Sequence, residues 1–251
     1  RAMMLEELGM VIDFLPWRGL CERAKWISKH CDVKKAALLI QFMNRMPSEC
    51  RITEDEMTCL RAAKILPILS KPKDYPFSWK SDEFRTMHLA AANDLHPDRH
   101  KHLVGSFQLI LDESSSSSIV PNGSVKRILG FISKQPELSD VIAQLDLVIQ
   151  LPPSLPREKK EHACFAIYDF FQKVVTSDKF KLQHSYLREQ LESRPWMLIK
   201  NQMVDPKKVA KNWKKDDGSP YLMPLPPEYN TKFRGFVNWY GVKDNFGEED
   251  F

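Results

Sequence analysis

The amino-acid sequence predicts a predominantly α-helical α+β fold that consists of two diverged copies of one helices-then-β-hairpin module. Most apolar residues recur at the three- and four-residue spacing of amphipathic helices, and the β-like runs are short. Each β-like run follows a group of helical segments, first at Ile65–Leu69 and again at Trp196–Ile199. The order starts after Leu8-Gly9, starts again after Leu129-Gly130, and opens once more at Tyr240-Gly241. We therefore interpret the chain as two copies and the beginning of a third.

The copy boundaries follow from this order and from a serine-rich loop. The runs Ser114–Ser118 and Pro121–Gly123 are typical of a surface loop, where changes of length are tolerated. The first copy is 1–120, with helices within 4–63 and a β-like and Pro/aromatic loop region at 64–111. The second copy is 121–239, with helices within 124–193 and a hairpin region at 194–227, and the third begins at 240–251. The alternative is a chance succession of helices and hairpins, and superposition of the copies would distinguish the two.

The first helices are predicted from apolar stripes and from capping residues. A short helix ends at Asp13–Pro16, and the next helix carries one core-facing stripe, which is Trp17, Leu20, Cys21, Ala24 and Ile27. Asp32 is suited to cap a helix over Val33–Met46. That helix is apolar on two faces, so we expect it to pack between neighbours. Thr53–Glu56 has the form of a capping box and begins the next helix.

After these helices the pattern changes to β-like residues and prolines. Pro67 lies inside the Ile65–Leu69 run and indicates an edge strand or a bulge, because proline has no N–H to donate. Ser70–Lys80 alternates prolines with aromatic residues and therefore predicts an extended, packed loop. Leu103–Leu111 fits either a strand or a short helix.

The second copy is predicted to repeat the helices and to end in a hairpin. Its helical segments are Ser139–Leu151, Arg157–Val175 and Leu182–Leu191, the last with Leu182, Tyr186 and Leu191 on its apolar face. A turn at Asn201 separates two β-like runs and predicts the hairpin. Pro206–Ala210 fits a short helix begun by proline. A helix through Phe233 and Tyr240 is expected to end at Gly241.

Length and composition limit the class of protein. The chain has 251 residues and a hydrophobic fraction of 43%, which suffices for a hydrophobic core. Its net charge of +4 permits acidic partners without implying them. No apolar run is long enough to cross a bilayer, and Arg1–Met4 shows no signal-peptide character, so we expect neither membrane insertion nor secretion. The five cysteines form no CxxC pair. They predict reduced thiols in a cytosolic or nuclear setting.

Several stretches resemble the internal repeats of the sacsin family, in the part downstream of an ATPase-like domain related to the ninety-kilodalton heat-shock chaperone. The stretches that carry the resemblance are Leu66–Lys80, Arg194–Ile199, Val204–Ala210, Pro220–Leu222, Leu225–Tyr229 and Tyr240–Phe246. The resemblance covers most of the chain and includes no sharp catalytic motif. It implies a fragment of a very large cytoplasmic protein that regulates the seventy-kilodalton heat-shock chaperones and affects mitochondrial and cytoskeletal organisation.

Within that family, this segment is expected to be a non-catalytic scaffold or client-contact module. Its expected partners are other regions of the same large protein, chaperones and client proteins. The family's ATPase-like part needs an asparagine and aspartates on one helix and glycine-rich turns around the phosphates. Neither is present, since Gly105, Gly123 and Gly130 are isolated, so we expect no cofactor and no ATP binding by this fragment.

The tripeptide His96-Pro97-Asp98 is the one by which J-domains stimulate their chaperone partner. In a J-domain it follows a basic amphipathic helix, whereas Leu89–Leu95 contains no basic residue. We therefore favour the alternative, in which Asp94 or Pro97 starts a helix that continues through Val104.

Other candidate sites are weaker than their structural alternatives. A metal site from His88, His96, His100, His102 and Cys59 lacks the tight ligand pairs of zinc sites, and a solvated histidine face is the preferred interpretation. A lysine-rich stretch near two tryptophans is diluted by aspartates, so we expect no nucleic-acid binding; its members are Lys207, Lys208, Lys211, Lys214 and Lys215 with Trp196 and Trp213. Ser185 beside His184 lacks a nucleophile elbow, so no catalytic residue is assigned.

The Pro/aromatic loop is the candidate protein-contact site. Tyr75, Phe77 and Trp79 are rigid apolar groups that either pack against the helices or contact a partner, and we favour packing. The alternative function for the whole chain is an independent helical enzyme or nucleotide-binding domain with a site assembled from distant residues. Thermal stabilisation by nucleotides or metals would favour that alternative.

Overall fold

A computed structural model describes residues 15–47, 50–84, 88–114, 120–213, 222–247 and 250. Helices account for 55% of the described residues, and the strands form short pairs. The predicted α+β, predominantly helical class is therefore confirmed. The predicted short helix before Asp13, the landmark Gly9 and residues 115–119 of the serine-rich loop lie outside the described residues.

The chain divides into two compact units. The first unit takes the described residues within 15–73, 78–101 and 105–135, and the second takes those within 74–77, 102–104 and 136–250. The division reflects which residues contact one another, whereas the predicted copies concern a repeated order of segments. The copy boundaries therefore stay a prediction.

The helices up to residue 130 are α1 (Trp17–His30), α2 (Val33–Asn44), α3 (Glu54–Ala62), α4 (Lys101–Val104) and α5 (Gly123–Ile128). The first three begin and end close to the positions that the sequence indicates. All five residues of the predicted α1 stripe are buried. Because burial of apolar surface is the main favourable term in folding, this stripe fixes the face of α1 that packs inward.

The predicted caps of α2 and α3 are present. Asp32 Oδ1 accepts a hydrogen bond of 3.0 Å from Lys35 N at the start of α2. At the start of α3, Glu56 N donates to Thr53 Oγ1 over 3.3 Å, and Thr53 N donates to Glu56 Oε2 over 2.9 Å. These bonds satisfy N–H groups that have no partner within the first helical turn.

Two short strand pairs follow these helices in the first unit. β1 (Lys64–Pro67) pairs antiparallel with β2 (Leu89–Ala91), and the register shifts between Lys64 and Leu66. This pair confirms the bulged edge strand that Pro67 predicts. β3 (Leu95–His96) pairs parallel with β4 (Leu109–Ile110). The segment 103–111 therefore contains the end of a short helix and then a strand.

The second unit contains further helices and strand pairs. Its helices are α6 (Leu138–Ile149), α7 (Arg157–Thr176), α8 (His184–Glu192), α9 (Pro227–Lys232) and α10 (Arg234–Tyr240). Its strands are β5 (Met197–Ile199), β6 (Gln202–Val204), β7 (Val209–Ala210) and β8 (Met223–Pro224). β5 and β6 form the predicted antiparallel hairpin. Its turn is Lys200-Asn201, both at positive φ (46° and 69°), as a two-residue hairpin loop requires.

Two predictions for the second unit are wrong. Leu182 is 96% exposed and Tyr186 is 41% exposed, so they do not continue an apolar face. α8 begins only at His184, and its buried residues Leu187 and Leu191 are one turn apart. Pro206 does begin a helical turn, but this turn is a 3₁₀ helix that ends at Lys208, and β7 follows at once.

The same order of elements occurs in both units after their helices. An antiparallel pair, a short 3₁₀ turn and a parallel pair appear as β1 to β4 in the first unit and as β5 to β8 in the second. Gly130 and Gly241 follow helices and take left-handed conformations, with φ of 83° and 90°. The shared order of elements supports the two-copy interpretation, which stays a prediction without a superposition of the copies.

Gln144 on α6 is a buried polar residue in an apolar surrounding, and replacing it is expected to stabilise the chain. Its side chain is fully buried, and neither amide atom has a hydrogen-bond partner among the residues that the structure describes. Since an unsatisfied buried polar group costs about 1–3 kcal/mol, Gln144→Met should raise the free energy of unfolding by about 1–2 kcal/mol. Urea denaturation measures this change.

The control for this measurement is Gln150→Met at the exposed end of the same helix. There we expect a change within about 0.5 kcal/mol. A loss of stability in Gln144→Met would contradict the prediction and indicate that the Gln144 amide is satisfied in solution.

Candidate functional site

An apolar groove between α1 and α2 is the candidate interaction site of the first unit. Its volume is about 630 Å³. The apolar side chains that line it are Leu15, Leu20, Trp26, Ile27, Leu38, Leu39 and Phe42. Leu38 is 64% exposed and Trp26 is 44% exposed, although both are large and apolar. Clustered exposed apolar groups of this kind are typical of a binding surface rather than of scattered surface residues.

Local interactions hold Trp26 at the edge of the groove. The Lys35 ammonium lies 3.9 Å from the Trp26 ring centroid, which is a cation–π arrangement. The His30 ring stacks on Trp26 at a centroid distance of 4.1 Å and an angle of 19°. His30 Nδ1 is 2.8 Å from Trp26 O and donates to it. The indole is therefore positioned before any partner binds.

The sequence interpretation of α2 is confirmed in part. Its two apolar faces predict a helix packed between neighbours, and α2 does pack against α1, β1 and α5, with Ala36, Leu39, Ile40 and Met43 buried. Leu38, on the second face, is exposed along the groove. Trp26 was not recognised from the sequence, because it lies outside the apolar stripe of α1.

The three residues predicted for protein contact are all buried in this chain. Tyr75 and Phe77, in the second unit, form an edge-to-face pair with a centroid distance of 5.2 Å. Trp79, in the first unit, donates from Nε1 to Leu69 O over 2.9 Å. The structure thus shows the packing alternative for each ring. Contact of these residues with a partner stays a prediction, and it would require the loop to open.

The histidines that the sequence places on a solvated face are instead buried, so that interpretation is wrong for His96 and His100. Their Nδ1 atoms are 3.3 Å apart. Arg99 Nε donates to His100 Nε2 over 3.2 Å. His96 belongs to β3, and the turn Asp98–His100 leads into α4. A buried strand residue differs from the exposed loop of a J-domain.

The part of the chain that the structure describes contains no group of three or more His, Cys, Asp or Glu residues that could hold a metal ion. Of the lysine-rich stretch, Lys207 and Lys208 are exposed and Trp196 is fully buried, whereas Lys214 and Lys215 lie outside the described residues. The predicted absence of nucleic-acid binding stays untested.

The second unit has a buried hydrogen-bond network around the hydroxyls of Tyr168 on α7 and Tyr229 on α9. Leu198 N donates to Tyr229 Oη over 2.9 Å and to Tyr168 Oη over 3.2 Å. Tyr229 Oη donates to Leu198 O over 3.0 Å, and Tyr168 Oη donates to Trp196 O. Burial raises the pKa of both tyrosines, so the hydroxyls keep the protons that they donate. This arrangement binds the hairpin to two helices and offers no open surface to a substrate.

None of the described helices is both long and apolar enough to cross a membrane. No family model matches the chain, and no solved structure matches it. A curated relative does match: the chain is 26% identical to human sacsin over 257 aligned residues, which cover 98% of this chain. The predicted resemblance to a sacsin-like repeat region is therefore confirmed. The chain spans only 6% of the length of that relative.

Proposed function

We propose, from the similarity to a segment of human sacsin, that this chain is a non-catalytic scaffold or client-contact module of a very large cytoplasmic co-chaperone that regulates heat-shock chaperones. Its partners are other regions of the same protein, chaperones and client proteins. The proposal includes no binding of ATP or nucleic acid and no membrane insertion by this segment. The observation that carries it is the exposed apolar groove between α1 and α2.

The groove suits an amphipathic helix of a client protein with acidic residues beside its apolar face. Two basic residues, Arg23 and Lys35, and one acidic residue, Glu22, line the groove. The two acidic residues of this region are paired, Glu22 with Lys25 at 2.9 Å and Asp32 with Lys35 at 3.6 Å. Further basic residues on α1 and α2 are Arg18, Lys29 and Lys34. The excess of positive charge favours an acidic partner and steers its approach.

The occupant's apolar side chains would enter the groove as a helix does in other helix-in-groove complexes, with anchors three or four residues apart. Leu38 and Phe42 on α2 are one helical turn apart and provide one wall. Trp26 provides the opposite wall and is already fixed by Lys35 and His30. A pre-positioned aromatic residue loses little conformational freedom on binding.

A designed peptide tests this function. The probe is a fluorescein-labelled amphipathic helix with leucines at i, i+3, i+4 and i+7 and glutamates beside them; a second probe carries lysines instead. We expect the acidic probe to bind more tightly, and Leu38→Glu to weaken its binding about tenfold or more, a loss of about 1.4 kcal/mol. Fluorescence anisotropy at two salt concentrations measures both effects.

The matched control is Leu182→Glu, which adds the same charge at a 96% exposed leucine of the second unit. It should bind the probe as the unmodified chain does. Equal affinity of the two probes, or equal loss in both variants, would contradict the proposed occupant. Two other outcomes would identify a different occupant of the groove. If the unmodified chain self-associates and Leu38→Glu abolishes this association, the occupant is a second copy of the chain. If the acidic probe binds only after deletion of residues 1–14, this chain's own N-terminal segment competes for the groove.

A further inference from the structure

Two cysteine side chains from neighbouring helices of the first unit contact each other. Cys21 lies on α1 and Cys59 on α3, and both belong to the same hydrophobic cluster. Cys59 Sγ is also 4.0 Å from Cys21 O. Cys21 Sγ donates to Glu56 O over 3.5 Å, one turn before Cys59 on the same helix. These contacts place each sulfur atom against the backbone of the other helix, across the interface of α1 and α3.

Cys59 is the accessible member of the pair. It is half-buried and forms part of an opening of about 450 Å³. Lys25, Lys29 and Lys64 line the same opening, and Lys25 is close enough to interact electrostatically with Cys59. Reactive cysteines are found in partly exposed, electropositive surroundings of this kind.

Cys21 is the protected member. Its side chain is buried. Burial, together with the neighbouring Cys59 and Glu56, raises the pKa of Cys21 to about 12, so it remains a thiol at neutral pH. A buried thiol beside an accessible one has the arrangement of a resolving cysteine.

We propose that Cys59 and Cys21 are an oxidation site, in which a hydroperoxide oxidises Cys59 and Cys21 then closes a disulfide between α3 and α1. This inference does not depend on the proposed function. The chemical class of the oxidant is a small hydroperoxide, of which hydrogen peroxide is the simplest. The lysine-lined opening admits it to Cys59, whereas Cys21 is buried.

The reaction balances in two steps. In the first, the Cys59 thiolate attacks one peroxide oxygen; the S–O bond forms, the O–O bond breaks, and the leaving hydroxide takes a proton to become water. In the second, Cys21 Sγ attacks Cys59 Sγ; the S–S bond forms, the S–O bond breaks, and the departing hydroxide takes the Cys21 proton as a second water. Two thiols are oxidised, and one hydrogen peroxide is reduced to two waters.

Peptide mapping of the intact chain tests the site. After treatment with hydrogen peroxide and blocking of free thiols, non-reducing trypsin digestion should yield peptide 19–23 linked to peptide 52–61. Cys31 provides an internal reference, because it is exposed and falls in the separate peptide 30–34. We expect the 19–23 to 52–61 link to form before Cys31 is oxidised, and thiol reductant to remove it.

Two variants define the order of the steps. Cys21→Ser should leave a sulfenic acid on Cys59 that dimedone traps, and Cys59→Ser should show no dimedone adduct on Cys21. Lys25→Gln with Lys29→Gln should slow the oxidation of Cys59 several-fold. Circular dichroism confirms that each variant retains its helices.

The proposal is overturned if the peptide map of the unmodified chain shows Cys59 oxidised without the link to Cys21. It is equally overturned if links among the five cysteines form at random, or if Cys31 reacts first. Each of these readouts uses the unmodified chain and does not rely on the folding of a variant.

Discussion

Gly105→Ala is expected to lower the free energy of unfolding by about 3 kcal/mol or more, because a side chain at this position meets packed atoms. A Cβ on Gly105 would lie 2.3 Å from Trp79 Cζ3 and 2.5 Å from Lys101 O. Trp79 cannot move aside easily, since it is buried and its Nε1 is bonded to Leu69 O. The Gly105 carbonyl is also fixed, because it accepts from Lys80 N over 2.9 Å. Urea or thermal denaturation measures the loss.

Gly123→Ala is the matched control for Gly105→Ala. Gly123 begins α5, and a Cβ there would meet no atom within 4 Å. Its stability should change by no more than about 0.5 kcal/mol. Trp79→Leu in the Gly105→Ala background should recover part of the lost stability, because the indole ring that the new Cβ meets is removed. The contact of that Cβ with Lys101 O remains. Similar melting curves for both glycine variants would contradict the packing described for Trp79.

Tyr229→Phe is expected to destabilise the second unit by about 1–3 kcal/mol, because it leaves a buried backbone carbonyl without its donor. Tyr229 Oη donates to Leu198 O and accepts from Leu198 N, at 3.0 Å and 2.9 Å. The ring remains in phenylalanine, so its packing against Tyr168 and Phe233 is kept. The loss therefore reports the hydroxyl and not the aromatic contacts.

The neighbouring Tyr168→Phe should produce a loss of similar size. Its hydroxyl shares Leu198 N with Tyr229 and donates to Trp196 O. Because both hydroxyls serve the same N–H, the two losses should not add, and a double-mutant cycle measures their coupling. The half-exposed Tyr186 provides the control, and Tyr186→Phe should change the free energy of unfolding by less than about 0.5 kcal/mol. Additive losses would contradict a shared hydrogen-bond centre.

The features that sequence analysis predicted correctly are those decided by a few neighbouring residues. The Asp32 cap and the Thr53–Glu56 capping box need only side chains within one helical turn. The turn at Asn201 and the helix end at Gly241 depend on the left-handed conformations that these residue types tolerate. Local chemistry therefore predicts helix ends and turns well in this chain.

The errors concern burial, which depends on residues distant in sequence. His96 was expected to face solvent, but its strand pairs with Leu109–Ile110 and is covered. Leu38 was expected to be covered, but no described residue buries it and it remains 64% exposed. A periodic pattern shows which residues share a face of a helix, but it does not show whether another element covers that face.

For the candidate sites too, the local pattern was evident in the sequence and the packing of distant residues was not. The apolar residues of α2 were evident in the sequence, whereas the groove exists only because Trp26 of α1 stands opposite them. Cys21 was recognised as part of a buried stripe, but its contact with Cys59 requires α1 and α3 to pack side by side. Tyr75, Phe77 and Trp79 were grouped by proximity in sequence, yet the structure assigns them to different units.

The bonds from Tyr168 and Tyr229 to Leu198 also affect how the hairpin meets other chains. Leu198 lies opposite Met203, between the rungs Met197–Val204 and Ile199–Gln202. Its N–H and C=O are both hydrogen-bonded to tyrosine hydroxyls. An exposed strand edge at this position would act as a template for pairing with another strand. Two phenol groups thus protect β5 from intermolecular strand addition, the first step of amyloid-like aggregation.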